Sequence, residues 1–253
     1  MTTTHAVEEP FHRRTVSFTR LDGRLNQRHQ ASWDRYAGDL LIDVPRDVAR
    51  TSVAPGFRLD AEREFGRAAP LVVEVGAGAG DAVVHAGRSC PGTDFLAVEV
   101  YRPGVAQTLA KVGAQGLTNV RLVQADAVDV LSTMLAPASV AEVWVFFPDP
   151  WHKSRHHKRR LVTPELAALV GGALVPGGWW RLATDWAGYA RQMRDVGEAA
   201  PRFTNPYAGR LACEDDPVGG FAPRFDGRVM TRFERKGLAV GRPVFDLCFR
   251  RDD

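Results

Sequence analysis

The sequence predicts an α/β fold in which a doubly wound, mostly parallel sheet is covered by helices. Short apolar runs such as 71–75 and 141–147 are continuous rather than alternating, which is typical of strands buried on both faces. Helix-like stretches separate these runs along the chain. Most of the runs also end in an acidic residue, at the edge where ligands bind in such sheets.

Strands and helices alternate regularly from residue 59 onward. The predicted strands are 71–75, 93–100, 119–126, 141–147 and 179–185, and the predicted helices are 59–70, 81–88, 104–115, 128–135, 163–174 and 186–199. Thr163 and Pro164 are typical of a helix start. Near the C-terminus, residues 228–237 and 242–250 predict two strands joined by a turn that contains glycine. We expect this antiparallel hairpin to extend the edge of the sheet.

The chain of 253 residues is predicted to form one domain with an N-terminal extension. Residues 1–55 are polar and rich in arginine, and we expect a partly flexible arm there, followed by a single domain over 56–253. No run approaches the roughly 20 apolar residues that span a bilayer, and the N-terminus lacks the apolar core of a secretory signal. The expected location is the cytoplasm, with no membrane partner and no obligate protein partner.

The cysteines and histidines lack the spacing of a metal site, so no metal is expected. Cys90, Cys213 and Cys248 lie far apart and are odd in number, which does not fit a disulfide framework. We expect them to be small buried apolar residues.

A basic segment directly follows an acid held between prolines. Pro148, Asp149 and Pro150 end the 141–147 strand, and the prolines limit the freedom of the acid. The net charge of the whole chain is only +3, so the local distribution must indicate the partner. The segment contains five cations and three histidines: His152, Lys153, Arg155, His156, His157, Lys158, Arg159 and Arg160. This pattern favours a nucleic-acid phosphate contact beside an active-site acid, the alternative being a solvated charged loop.

Three glycines follow the 71–75 strand, where they allow a ligand to approach the backbone closely. Gly76, Gly78 and Gly80 are followed by Asp81 in place of the third glycine of a dinucleotide-binding motif, and an acid there disfavours a pyrophosphate. Glu99 is placed to accept hydrogen bonds from two ribose hydroxyls, and Asp126 from an adenine amino group. Together they favour S-adenosylmethionine, whereas the glycines alone would be explained by a tight turn.

Several motifs, in order, resemble the bacterial tRNA (guanine-N7)-methyltransferase family. They are EVGAGAG, AVEVYRPGV, QADA, FPDPWHKSRHHKRR, ATDW, TRFE and FDLCFR, and the fourth is the most specific. The resemblance implies a Rossmann-like, seven-stranded class I methyltransferase fold that uses S-adenosylmethionine and acts on tRNA at variable-loop position 46.

The resemblance also implies roles for individual residues. Glu74, Glu99 and Asp126, with the three glycines, would bind the cofactor, and Asp149 would be both cofactor-proximal and catalytic. Residues that would contact the RNA or the target base are Lys153, Arg155, His156, His157, Lys158, Arg159, Arg160, Asp185, Thr231, Arg232, Phe233 and Glu234.

The expected reaction is direct attack of guanine N7 on the sulfonium methyl, which requires no strong base because N7 carries no proton. We expect Asp149 or Asp185 to accept hydrogen bonds from the guanine edge. Three alternatives remain open. They are an amino-group methyltransferase acting on another nucleic-acid base, a nicotinamide-dependent oxidoreductase, and an RNA-binding module without catalysis.

Overall fold

The computed structural model describes residues 23–210 and 216–253. In these ranges one seven-stranded sheet is built from β1 (Leu71–Val75), β2 (Asp94–Val98), β3 (Val120–Val123), β4 (Val140–Phe146), β5 (Leu174–Thr184), β6 (Phe203–Thr204) and β7 (Phe245–Arg251). The strand order is β3-β2-β1-β4-β5-β7-β6. Strands β1 to β5 are parallel, and β7 pairs antiparallel with both β5 and β6. The predicted fold class is confirmed.

Helices cover both faces of the sheet. They are α1 (Gln27–Leu40), α2 (Ala61–Phe65), α3 (Asp81–Ser89), α4 (Arg102–Gln115), α5 (Ala127–Asp129), α6 (Pro164–Ala173), α7 (Ala187–Ala199) and α8 (Arg232–Ala239), with a π-helical turn at Val130–Met134 and a 3-10 helix at Ser154–Arg159. Alternate residues of a strand face opposite sides. Val73 therefore joins the apolar core under α6 and α7, and its neighbour Val72 joins the core under α3 and α4.

Helix α1 lies within the segment that was predicted to be an arm. The Asn26 side chain caps it by accepting a hydrogen bond from the His29 amide at 2.8 Å. Trp33 and Tyr36 pack against the core beside α4, where Gly113 makes room for the tyrosine ring. Residues 27–40 are thus a docked helix, which the sequence analysis missed. Residues 1–22 lie outside the described part, and the domain boundary at residue 55 stays a prediction.

The predicted C-terminal hairpin is wrong in its first half. Residues 232–239 form helix α8 instead of a strand, whereas the second predicted strand is present as β7. The Thr231 hydroxyl accepts a hydrogen bond from the Glu234 amide at 3.1 Å, which caps the helix. A Thr-x-x-Glu sequence is a helix-start pattern, and here it outweighs the strand preference of Val229, Thr231 and Phe233.

The cysteine prediction is correct only in part. Cys248 is buried in β7, but Cys90 is exposed after α3, and Cys213 lies outside the described residues. Within the described ranges, no group of His, Cys, Asp and Glu side chains could hold a metal ion. No helix of that part is long and apolar enough to cross a membrane.

Candidate active site

Two adjoining cavities open at the carboxyl ends of the parallel strands. One, of about 200 Å³, is lined by residues that include Glu99 and Asp126. The other, of about 740 Å³, is lined by residues that include Glu74 and Asp185. Both cavities share the wall Gly76, Phe146, Phe147, Pro148 and Asp149. The acids predicted at the strand ends therefore line two adjoining cavities, with Asp149 on the wall between them.

The glycine turn after β1 requires glycine at each of its three positions. Gly76, Gly78 and Gly80 have φ values of 73°, 57° and 74°, a region that other residues rarely adopt. A Cβ on Gly80 would also lie 2.4 Å from the Thr108 side chain, and one on Gly104 would lie 2.7 Å from the Gly78 carbonyl oxygen. Helix α4 thus packs directly on the turn, and Gly104 contributes to the site although its spacing from the motif gave no signal.

Glu99 is held rigidly by backbone donors. Its Oε2 accepts a hydrogen bond from Gly78 N at 2.7 Å, and its Oε1 accepts from Val100 N and Tyr101 N, each at 2.8 Å. These three bonds occupy most of the acceptor capacity of one carboxylate. The expected bonds to two ribose hydroxyls would therefore require one backbone bond to be exchanged.

Asp126 lies in the smaller cavity at the start of α5. Its Oδ1 accepts a hydrogen bond from Val128 N at 2.8 Å, which caps that helix. Its own amide donates to Thr51 O at 2.7 Å, so the segment before α2 also supports the site.

Glu74 is a buried carboxyl group beside the glycine turn. Its pKa is raised to about 8, chiefly by burial. A backbone hydrogen bond at Val83 lowers it, and the nearby Glu99 and Asp81 carboxylates contribute smaller increases. Its Oε2 has no hydrogen-bond partner within residues 23–210 and 216–253. A buried acceptor without a donor indicates a place for a ligand donor.

Lys111 of α4 changes the expected electrostatics of the glycine turn. Its ammonium group pairs with the Asp81 carboxylate and donates to Ala79 O at 2.7 Å. The acid at position 81 was expected to disfavour a pyrophosphate, and nothing in the sequence indicated Lys111, which lies 30 positions away. The acid and the amine instead line the larger cavity as a pair.

The Pro148–Pro150 segment is held in an unusual backbone conformation. Phe147 and Trp151, which flank it, have φ values of 52° and 44°, in the left-handed region that is costly for non-glycine residues. The Phe147 amide donates to Ala183 O at 2.8 Å, which ties the segment to β5. Strain of this kind persists only where the surroundings enforce it, and it is enriched at functional sites.

The basic segment divides into exposed and internal cations. Lys153, Arg155 and Lys158 are exposed on or beside the 3-10 helix. The Arg159 guanidinium lies over the Trp151 ring at 4.9 Å. Arg160 is only 4% exposed, which disfavours the RNA contact predicted for it.

The three histidines of this segment differ in their surroundings. His152 is exposed and its ring lies 4.3 Å from that of Trp186, whereas His156 and His157 are partly buried. Desolvation and then the neighbouring cations lower the pKa of His156, which disfavours its charged form.

The larger cavity is also lined by Asp185 and Thr231, whose predicted substrate contacts stay a prediction, and by Arg228, which nothing in the sequence indicated. Glu234 is 1% exposed and pairs with Arg228 at 2.6 Å. It is part of the internal support of α8, and this burial disfavours the direct substrate contact predicted for it. The side chains of Arg232 and Phe233 lie outside the described part.

Comparisons with known proteins identify the family. A family described as "Putative methyltransferase" matches residues 68–247. The tRNA (guanine-N(7)-)-methyltransferase of Arthrobacter sp. (strain FB24) is 48% identical, over 94% of this chain and 86% of that protein. The protein of the same name from Cutibacterium acnes is 46% identical, over 98% of this chain and 87% of that protein. The chain belongs to the tRNA (guanine-N7)-methyltransferase family.

Solved structures place the family fold among methyltransferases. The 16S rRNA methyltransferase KamB superposes with a TM-score of 0.52 at 18% identity, covering 83% of this chain and all of that one. The antibiotic-resistance methyltransferase Kmr gives a TM-score of 0.50 at 16% identity, covering 77% of this chain and 92% of that one. At this identity the likeness concerns the fold, which is the class I methyltransferase fold that the sequence predicted.

Proposed function

We propose that this member of the tRNA (guanine-N7)-methyltransferase family transfers a methyl group from S-adenosylmethionine to N7 of guanine 46 in the tRNA variable loop. The observation that carries the proposal is Asp149 on the wall shared by the two cavities, with exposed cations four and nine residues further on at Lys153 and Lys158. A cofactor and a base held in adjoining spaces would both contact that wall. A tRNA substrate implies a cytoplasmic location.

The residues of the site fit S-adenosylmethionine. The unpartnered Oε2 of Glu74 matches a ligand ammonium group, because a buried acid favours a cationic donor. Glu99 and Asp126 offer carboxylate acceptors in the smaller cavity, which suits a ribose and an adenine amino group. Gly76 and Gly78 leave the backbone open to close approach. The cofactor supplies an electrophilic methyl group on a positively charged sulfur.

The side chains have to orient the reactants rather than remove a proton. Guanine N7 has a lone pair in the ring plane and no proton, so a general base is unnecessary. Alignment of two reactants contributes about 7–11 kcal/mol to lowering a barrier. Asp149 places a fixed negative charge where the purine becomes cationic, and such electrostatic preorganisation adds to the effect. Phe146 and Phe147 supply the apolar part of that wall.

The exposed part of the basic segment gives the tRNA a place to bind beside the site. Lys153, Arg155 and Lys158 would contact backbone phosphates, which makes binding depend strongly on salt concentration. The target guanine must leave its stack to enter the larger cavity, at a cost of a few kcal/mol.

A transfer assay with labelled S-adenosylmethionine and unmodified tRNA tests the proposal, with the modified nucleoside identified by mass. We expect N7-methylguanosine. An N-methylamine would instead indicate the alternative, an amino-group methyltransferase acting on a nucleic-acid base. Calorimetric titration with S-adenosylhomocysteine and with NAD is the companion measurement. Binding of NAD alone would overturn the proposal in favour of an oxidoreductase.

A further inference from the structure

The side chain of Arg160 is directed into the protein beneath the Asp149 segment. Its Nε donates a hydrogen bond to the Pro150 carbonyl oxygen at 2.9 Å, and its Nη1 donates to Gln192 Oε1 at 2.7 Å. The guanidinium lies 4.8 Å from the centre of the Tyr189 ring, and its Nη2 is 3.0 Å from His157 Nε2. The Arg160 guanidinium thus contacts Pro150 next to Asp149, helix α7 and the basic segment.

Helix α7 is a rigid base for these contacts. Gln192 Nε2 donates to Val162 O at 3.1 Å, and the Tyr189 hydroxyl accepts from Val162 N at 3.0 Å. Tyr189 is fully buried in the core. The residues that hold Arg160 are therefore fixed both by packing and by bonds to the chain that follows it.

We propose that Arg160 is a positioning residue for Asp149 and makes no contact with RNA. By holding the Pro150 carbonyl it fixes the Pro148–Pro150 segment, and with it the Asp149 carboxylate, at the wall between the cavities. The proposal rests on the function proposed above and adds a role to a residue of the basic segment. A displacement of about 1 Å in a catalytic group can lower a rate by about 100-fold, so this anchor matters for turnover.

The geometry of the guanidinium distinguishes this role from phosphate binding. A phosphate contact needs donors that face solvent, whereas the donors of Arg160 face Pro150 O, Gln192 and His157. Lysine carries the same charge but lacks the planar fork, so it cannot reproduce these contacts together. An Arg160→Lys variant would preserve a charge effect and abolish a positioning effect.

The test compares Arg160→Lys and Arg160→Gln with Arg155→Gln. For both Arg160 variants we expect kcat at saturating tRNA to fall by about 100-fold, while tRNA affinity and its salt dependence stay near wild type. For Arg155→Gln we expect weaker tRNA binding and a smaller salt slope. Near-normal turnover in Arg160→Lys, with Arg160→Gln losing tRNA affinity and salt slope, would overturn the proposal and make Arg160 a phosphate contact.

A change on α7 keeps the proposal falsifiable if the Arg160 variants fold poorly. Gln192→Ala removes one partner of the guanidinium outside the basic segment, and we expect a lower kcat with unchanged tRNA affinity. Arg191→Gln, at the neighbouring exposed position, is the matched control and should keep wild-type turnover. Wild-type turnover in Gln192→Ala as well would contradict the positioning role.

Hydrogen exchange separates this proposal from the proposed function, because it does not depend on activity. In Arg160→Lys and Gln192→Ala we expect faster exchange of the Phe147, Asp149 and Trp151 amides than in the wild type and in Arg191→Gln. If exchange is faster in the variants but the wild type does not methylate guanine, the proposed function is refuted and the positioning role of Arg160 remains supported. If exchange is unchanged in the variants and the wild type does methylate guanine, the positioning role of Arg160 is refuted.

Discussion

Arg242 donates a hydrogen bond from Nη1 to Oδ2 of Asp185 at 2.8 Å, and the Asp185 side chain is only 8% exposed. Asp149, in contrast, is exposed where the two cavities meet. Arg242 orients the Asp185 carboxylate and compensates its charge, which suits hydrogen bonding to the neutral edge of a base. The exposed Asp149 carboxylate has a charge that can stabilise the positive charge developing on the purine. We therefore propose that Asp185 binds the guanine N1–H and amino group and that Asp149 acts electrostatically.

Inosine at the target position tests this division, because it lacks the 2-amino group of guanine. In the wild type we expect the substitution to lower kcat/KM by roughly 10- to 150-fold, the value of one hydrogen bond to a charged group. In Asp185→Asn the preference for guanine over inosine should shrink. In Asp149→Asn the preference for guanine should remain, although the rates with both substrates should be much lower. The reverse pattern in steady-state kinetics would exchange the two roles.

Cofactor binding should release a proton from Glu74. Its pKa of about 8 means that the carboxyl is mostly protonated at pH 7, and a bound ammonium group would favour ionisation. We expect affinity for S-adenosylhomocysteine to increase as the pH rises toward 8. Calorimetry at pH 7 in buffers of different ionisation enthalpy should detect the released proton. The Glu74→Gln variant should release none, and equal proton release by both proteins would contradict the assignment.

The same pKa predicts how stability without a ligand depends on pH. Between about pH 4.5 and 8 the folded state retains the Glu74 proton that the unfolded state has lost. Stability therefore falls as pH rises through this window, by up to about 1.4 kcal/mol per pH unit. Urea unfolding at pH 5 and pH 8 should show this loss for the wild type, relative to Glu74→Gln. A constant difference between the two proteins would show that the group does not titrate in this range.

The exposed cations should determine the salt dependence of tRNA binding. Replacement of Arg155 or Lys158 by Gln should lower the slope of log affinity against log salt by about one for each phosphate that the side chain neutralises. Affinity for S-adenosylhomocysteine should be unchanged. Arg88→Gln, an exposed cation in the last turn of α3, is the control. Equal slopes for all four proteins, measured by filter binding, would place the tRNA elsewhere.

Glu234 should affect stability more than substrate affinity. It is buried and pairs with Arg228, whose side chain also pairs with Asp246 at 2.9 Å. Removing one member of such a buried network costs about 3–5 kcal/mol. We expect Glu234→Ala to lower the free energy of unfolding accordingly, and Arg235→Gln on the exposed side of α8 to change it little. A stable Glu234→Ala enzyme with a raised KM for tRNA would restore the substrate contact predicted from sequence.

The sheet and its cavities were predictable because their signals are local. Continuous apolar strands, glycines after β1 and acids at strand ends each occur within a few residues of one another. Helices α1 and α8 were missed for different reasons. Helix α1 is polar overall and becomes a helix of this fold by packing against α4, which is distant in sequence. At α8 the capping pattern competed with strand-forming residues, and the cap prevailed.

The charge pairs of the site could not be deduced from spacing. Lys111 and Asp81 lie 30 positions apart, and Arg242 and Asp185 lie 57 positions apart. Arg160 is one of several cations in a basic segment, so the sequence does not distinguish it from its exposed neighbours. Only the path of the backbone after the 3-10 helix places it beneath Pro150. Residue type was thus predictive of a basic surface but did not show which cations face inward.

The most direct measurement is aniline scission of reduced tRNA after incubation with S-adenosylmethionine and either the wild-type enzyme or Asp149→Ala. We expect a single cleavage at the variable-loop guanine after treatment with the wild type, because N7-methylation labilises the nucleotide. We expect no cleavage with Asp149→Ala, although that variant should still bind S-adenosylhomocysteine. Full cleavage with Asp149→Ala, or methyl incorporation by the wild type without any scission, would contradict the proposed reaction and the role of Asp149 in it.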